Sequence, residues 1–363
     1  MSTEERYTGT RPVAASHAFD AAALERRLAQ ELPGFRGPLA VAQFKGGQSN
    51  PTYLLTTPER RYVMRSKPGP VARLLPSAHA IEREFRLMRA LQGTGVPVPQ
   101  MHLLCEDEAV IGRAFYVMEF VEGRVLWEQS LPGLAPDARA ALYDEMNRVI
   151  AALHGVNPQA VGLADYGRPG NYFERQIARW TKQYLASVTE PIGEMDRLIE
   201  WLPGHLPASA RDETQVAIVH GDYRMDNLVF HATEPRIVAV LDWELSTLGH
   251  PLADFSYHCM SWHIPPGTFR GLGGLDLPAL GIPAEQDYLR RYCERTGRRD
   301  VEAVLQDWNF YLAYNLFRMA AITQGIAKRV VDGIASSAEA KATGAATRAL
   351  AELGWRFAQD ART

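Results

Sequence analysis

His220-Gly221-Asp222-Tyr223-Arg224-Met225-Asp226-Asn227 is a polar run set between two apolar ones, Val216 to Val219 and Leu228 to Phe230. A further apolar run, Ile237 to Leu241, stops at Asp242. Three side chains here have complementary chemistry. The carboxylate of Asp222 can orient and deprotonate an attacking hydroxyl. The amide oxygen of Asn227 and the carboxylate of Asp242 are hard donors of the kind magnesium takes, a few at a time, beside water and substrate phosphate. Any one of the three alone is an ordinary turn residue. The ordered set carries the reading.

Asn227 follows Asp222 by five residues, and Asp242 follows it by twenty, at the end of an apolar strand. An Asp with an Asn five residues on is the spacing of the kinase catalytic loop, where a later Asp binds magnesium. The pattern predicts Asp222 as catalytic base, and Asn227 and Asp242 as magnesium ligands.

Composition bounds the rest. The chain has 363 residues, 46% hydrophobic and 22% charged, which allows two lobes and a sizeable core. With 39 basic and 42 acidic residues its net charge is −3, without the basic excess of a nucleic-acid binder. Cys105, Cys259 and Cys293 are too few and too scattered for a disulfide framework, which fits a reducing cytoplasm. The N-terminus lacks the apolar core of a signal peptide, and no run reaches bilayer-spanning length. The expectation is a cytoplasmic protein with no membrane and no nucleic-acid partner.

Residues 1–17 read as a flexible N-terminal segment. Residues 18–121 are expected to form an N-lobe. It begins with a helix, Phe19 to Leu32, in which Leu24, Leu28 and Leu32 recur every four residues behind Asp20. Leu39 to Phe44 and Thr52 to Thr56 read as strands around Lys45-Gly46-Gly47-Gln48-Ser49-Asn50. Glycines there let backbone amides approach phosphates, so Gly46, Gly47, Ser49 and Asn50 are candidate nucleotide contacts. Arg61 to Arg65 is the third strand, with Arg65 in the cation slot that kinases fill with Lys; Lys67 is the neighbouring candidate. A helix is predicted over Pro76 to Leu91. Measured from Ile81 at about 100° per residue, Glu84 falls inside the apolar arc and Glu82 outside it. A carboxylate on a core-facing stripe needs a cation, so Glu84 is the expected partner of Arg65. Thr94 to Pro99 is a turn leading into an extended segment. Ala114 to Val121 is a buried strand, and backbone groups of Glu119 and Val121 are candidates for reading an adenine edge.

Residues 122–363 are expected to form a helical C-lobe holding the catalytic loop and the acceptor site. Helices are predicted over Pro136 to His154, Tyr172 to Val188, Leu198 to Leu202, Asp287 to Tyr292, Val301 to Gly325 and Ala338 to Ala358. Strands first and helices later give an α+β class: a two-lobed protein-kinase-like fold, a small antiparallel-sheet N-lobe and a mostly helical C-lobe.

The chain resembles the aminoglycoside phosphotransferase-like kinases, a protein-kinase-like superfamily that phosphorylates small molecules. Within it, the likeness is to the kinase domain fused to acyl-CoA dehydrogenases in animals and to its free-standing bacterial relatives. The segments that carry it are Arg65-Ser66-Lys67-Pro68 with Leu74-Leu75-Pro76-Ser77-Ala78-His79, Val219 to Phe230, and Leu241 to Phe255. The resemblance implies ATP and Mg2+ as cofactors. It implies Asp222 as base, Asn227 and Asp242 as metal ligands, and Asp254 as a buried acid propping the catalytic loop. His220 is implied as structural, and Arg224 as a cation near the transferred phosphoryl group. Arg65 departs from the usual Lys.

Only twelve residues separate Asp242 from Asp254, and Trp243-Glu244 replaces the Phe-Gly of protein kinases. That leaves no room for a phosphorylation-gated peptide platform. The acceptor is expected to be a small molecule with a free hydroxyl. The resemblance implies a hydroxyacyl-CoA; an aminoglycoside or other small alcohol is the alternative, and a catalytically silent nucleotide-binding scaffold the alternative of another class. Phe310, Tyr311, Tyr314, Phe317 and Arg318, with Lys328, either line an acyl slot or are simply core. Phe269 to Leu280 is either a closing loop or a connector. His250, His258, Cys259 and His263 match no standard zinc spacing.

Overall fold

The computed structural model describes residues 8–45, 50–68, 80–168, 170–267, 271–334 and 338–361. They fall into two compact units. One comprises Met1–Trp127, Val161–Leu163 and Asp226–Leu245; the other comprises Glu128–Ala160, Ala164–Met225 and Ser246–Thr363. The division expected at residue 121 falls near the first crossing, but the chain returns to the first unit twice.

The first unit is built on strands β1 (Thr10–Arg11), β2 (Ala40–Phe44), β3 (Thr52–Thr56), β4 (Arg61–Ser66), β5 (Met101–Cys105) and β6 (Phe115–Glu119). They form one sheet in the order β1-β2-β3-β4-β6-β5, with antiparallel neighbours. Alternate residues leave opposite faces. Tyr62, Met64, Phe115 and Val117 join Leu24 and Leu28 of helix α1 (Ala21–Glu31), and Leu32 just after it, in one buried cluster. Asp20 caps α1 by accepting from the N–H groups of Ala22 and Ala23. Val63, Arg65 and Tyr116 alternate with that set, and helix α2 (Ile81–Leu91) packs on β5 and β6. Ala80 stands before α2 in a non-helical conformation, so the helix starts later than predicted; the expected start at Pro76 lies outside the described residues.

Residues 8–17 of the segment expected to be flexible are described and make contacts. Thr10 and Arg11 pair with Phe44 and Gln43, and Lys45 donates to the Gly9 carbonyl. Gln43 explains why. It is buried, accepts from Ala14 N–H and lies 3.0 Å from His17 Nδ1, so one side chain satisfies both the segment and itself.

A second, three-stranded sheet completes this unit: β7 (Arg124–Val125) pairs with β9 (Leu228–Phe230), which pairs with β10 (Ile237–Val240). Gly123 is required at its edge, because a Cβ there would meet the Phe230 carbonyl oxygen at 2.3 Å.

The second unit is mostly helical. It holds α3 (Pro136–Gly155), α4 (Tyr172–Leu185), α5 (Gly193–Gly204), α6 (Pro251–Cys259), α7 (Glu285–Thr296), α8 (Val301–Val331), α9 (Ala338–Ala345) and α10 (Thr347–Asp360), with one two-stranded ladder, β8 (Ala217–Val219) against β11 (Thr247–Gly249). The single helix predicted over Ala338 to Ala358 is two, separated at Ala346. Helix α8 is the centre of the unit and packs on α4, α5, α6, α9 and α10. That explains why Phe310 to Ala321 is buried all round rather than along a stripe. Among the described residues no helix is long and apolar enough to cross a membrane.

Candidate active site

In the first unit the site residues gather around Arg65. In β4 it pairs with Tyr116 of β6, and opposed residues of an antiparallel pair share a face. Both reach the same carboxylate. Glu84 lies 3.3 Å from Arg65 Nε through its Oε2, which also accepts from the Tyr116 hydroxyl at 3.1 Å. Its Oε1 accepts from Asn50 Nδ2 at 3.3 Å. Glu84 is 2% exposed, so all its charge must be met by these groups. The Arg65 Nη2 donates to Asp242 Oδ1 at 2.9 Å and to Glu244 Oε2 at 3.4 Å.

Burial pushes the Glu84 carboxyl up, against the pull of Arg65. Burial also disfavours the Arg65 charge, but Glu84, Tyr116, Asp242 and Glu244 outweigh it and hold the guanidinium protonated. With all three acids ionised, one cation faces three anions, an excess of two negative charges.

Lys67 forms a parallel rung. It pairs with Glu82 on the same helix, two residues from each member of the Arg65–Glu84 pair. The two rungs differ in burial, and that sets their worth. Arg65 and Glu84 side chains are 11% and 3% exposed, whereas Lys67 and Glu82 are 32% and 28% exposed. Glu84→Gln should therefore cost about 2 kcal/mol of unfolding free energy in a urea titration, and Glu82→Gln about 0.5 kcal/mol or less. Equal costs would refute the distinction.

Three expected nucleotide contacts, Gly46, Gly47 and Ser49, lie outside the described residues. The side chain of Asn50 is fully buried and turned to Glu84. It braces the ion pair, because Glu84 Oε1 needs a donor that Arg65 does not supply. The Glu119 N–H donates to the Gln100 carbonyl at 2.8 Å. Val121 follows two residues after β6 ends.

Asn227 and Asp242 meet at one end of the β9–β10 pair. Leu228 faces Val240, and Leu241 N–H then donates to the Asn227 carbonyl at 2.8 Å. Asp242 comes next, with a left-handed backbone (φ 64°) rare outside glycine and asparagine. Strained backbone of this kind gathers at functional positions.

In the second unit the candidate residues His220–Met225 follow β8. Asp254 near the start of α6 accepts from two successive backbone groups, His220 N–H at 2.7 Å and Gly221 N–H at 2.8 Å. His154 Nε2 of α3 lies 3.2 Å from the same Oδ2. Gly221 has φ 82°, which directs both amides inward at no side-chain cost. Tyr223 anchors the next residue pair, its hydroxyl donating to the Met146 carbonyl at 2.9 Å. Between these anchors stands Asp222. Its Oδ1 accepts from the Tyr257 hydroxyl at 2.5 Å and lies 3.1 Å from Arg224 Nε.

Residues 40–304, well over half of the chain, match the profile of the phosphotransferase enzyme family. The chain belongs to that family.

This phosphotransferase is 47% identical over 352 residues to mouse acyl-CoA dehydrogenase family member 10, covering 96% of its own length and 32% of the relative's. It thus spans about a third of that relative. A crystal structure from Ralstonia eutropha JMP134, provisionally described as an aminoglycoside phosphotransferase, is 62% identical. It matches at a TM-score of 0.87 over 95% of this chain and all of that one. Choline kinase from Cryptosporidium parvum matches at a TM-score of 0.66 and 12% identity, over 94% of this chain and 97% of that one. The fold is that of the protein-kinase-like phosphotransferases.

Three side chains beside these candidates were not assigned there by the sequence. Glu244 sits two residues after Asp242, and only that spacing hinted at it. Tyr257 is in α6, one turn beyond Asp254, and nothing in the sequence marks it. Arg318 was placed in a helix of uncertain purpose. It is 7% exposed and donates to the Gly221 carbonyl at 2.6 Å. Its neighbours Phe310, Tyr311, Tyr314 and Phe317 are core, at 3% exposure or less, so they line no acyl slot. Of the expected acceptor loop, residues 271–280 are described. Gly271 sits so close to Ile264 that a Cβ would meet its carbonyl at 1.7 Å, and Leu277–Leu280 forms a short helix. His250 caps α6, His258 lies 2.9 Å from the Tyr288 hydroxyl and His263 pairs with Glu285.

Proposed function

We propose that this phosphotransferase moves the γ-phosphoryl group of ATP to a hydroxyl of a small molecule, and that the acceptor is a hydroxyacyl-CoA. The observation that carries the transfer reading is the two-point grip of Asp254 on His220 and Gly221, which holds still the turn presenting Asp222. A base must be fixed in place to take a proton as the new bond forms. In this reading Asp222 accepts the acceptor's proton, Arg65 aligns the α- and β-phosphates while Glu84 steadies it, and Arg224 meets the charge of the moving group.

The donor chemistry fits magnesium. Asn227 and Asp242 offer oxygen only, and the carboxylates about Arg65 outnumber it by two charges. When bound, the ion would neutralise phosphate charge.

Two facts support the acceptor. The mouse relative's name is that of an acyl-CoA dehydrogenase family member, and the match runs along 96% of this chain. The cation Arg224 stands 3.1 Å from Asp222, and a cation there suits an anionic thioester better than a polycation. The description of the Ralstonia structure favours an aminoglycoside as the second reading.

Mg·ATP at saturation should raise the midpoint of thermal unfolding by a few degrees. ADP release should then depend on an added hydroxyacyl-CoA, with a phosphorylated product by mass spectrometry. Release with aminoglycosides alone would sink the acceptor assignment. A thermal shift with no release from hydroxyacyl-CoAs, sugars, amino alcohols or antibiotics would point to a scaffold instead.

A further inference from the structure

Asp222 is held from outside its own loop. The Tyr257 hydroxyl of α6 donates to its Oδ1 at 2.5 Å. The Arg318 guanidinium of α8 lies over the Tyr257 ring, 4.9 Å from its centroid, and over the Trp180 ring at 5.5 Å. The same guanidinium donates to the Gly221 carbonyl at 2.6 Å. One buried cation thus touches both the backbone that carries Asp222 and the ring that grips it. Neither contact is an accident of surface packing, since Tyr257 is 3% and Arg318 7% exposed. A guanidinium suits both tasks at once, because its face stacks while its edge donates.

We propose that Tyr257, clamped by Arg318, is a positioning residue for phosphoryl transfer. Its hydroxyl fixes one oxygen of the Asp222 carboxylate, and so fixes the plane in which that carboxylate meets the acceptor. This rests on the reading of Asp222 as the base.

The other charged and titratable groups facing Asp222 are consistent with it. Arg224 Nε lies 3.1 Å from the same oxygen. His220 Nδ1 accepts the Asp222 backbone N–H at 3.2 Å, so it serves the main chain and not the carboxylate. Arg318 acts on Asp222 through its charge as well as through Gly221. Burial and the Asp222 charge both push the Tyr257 phenol up, so it stays protonated and remains a donor across the working pH range.

Tyr257→Phe removes the donor and keeps the ring beneath Arg318. Turnover, read as ADP release from Mg·ATP with a hydroxyacyl-CoA, should fall about tenfold with KM for ATP unchanged. Arg318→Lys, which keeps the charge and loses the planar stack, should lower kcat the same way by less. Because Tyr257 acts through Asp222, adding Tyr257→Phe to Asp222→Asn should cost nothing further. Turnover within about twofold of the native protein in Tyr257→Phe, or an equal loss in the Asp222→Asn background, overturns the proposal. Normal turnover in Asp222→Asn instead overturns the base assignment and the positioning role with it.

Discussion

Asp222→Asn is expected to lower turnover by about two to four orders of magnitude while leaving nucleotide affinity within about twofold. The substitution is nearly isosteric. An amide oxygen can still accept from the Tyr257 hydroxyl, and the grip of Asp254 on the turn is unchanged. What is lost is the charge and the lone pair that takes the proton. The candidate nucleotide and metal residues Arg65, Glu84, Asn227 and Asp242 belong to the other compact unit and are untouched. Turnover with Mg·ATP and acceptor, set beside a calorimetric titration with a non-hydrolysable ATP analogue, checks both halves. Near-normal turnover would remove Asp222 from the chemistry. A loss of nucleotide binding equal to the loss of turnover would mean it acts on the ground state.

Asp254→Ala is expected to cost about 3–5 kcal/mol of stability and to abolish turnover. Asp254 is 3% exposed. Burial alone would raise its pKa; the hydrogen bond and charge of His154, then His220, pull it below the usual carboxylate range. Removing it leaves the His220 and Gly221 N–H groups buried without their acceptor, together with His154. The pH dependence follows from the direction of the shift. Asp254 binds its proton more weakly folded than unfolded, so its charge contributes in full above the ordinary carboxylate pKa. That contribution is lost as pH falls through the depressed folded value. Urea midpoints should therefore fall with pH below about 4 in the native protein and fall less steeply in Asp254→Ala. Parallel profiles would place the acid sensitivity elsewhere.

Some of this architecture was legible because it is local. Helix α1 follows from leucines four apart and a capping aspartate, and Ile81 as origin puts Glu84 on the buried arc of α2. The catalytic stretch follows from one spacing between an Asp and an Asn. Other features were not legible. The bond from Asn50 to Glu84 is one, since loop position says nothing about which way an amide turns. The contacts of Ala14 and His17 are another, because their partner is the side chain of Gln43, some thirty residues away.

The candidate site was thus legible in the order of residues along the chain: an acid after one apolar strand, an amide just before the next and a second acid after the third. Periodicity likewise chose Glu84 over Glu82. Only the tertiary structure decided how those groups are held. Asp254 lies over thirty residues beyond the amides it binds, and Arg318 almost a hundred beyond the carbonyl it holds. Hydrogen bonds of that span have no periodicity and no local propensity behind them. They exist because burial forbids an unmet charge, and the packing of α3, α6 and α8 brings the partners within reach.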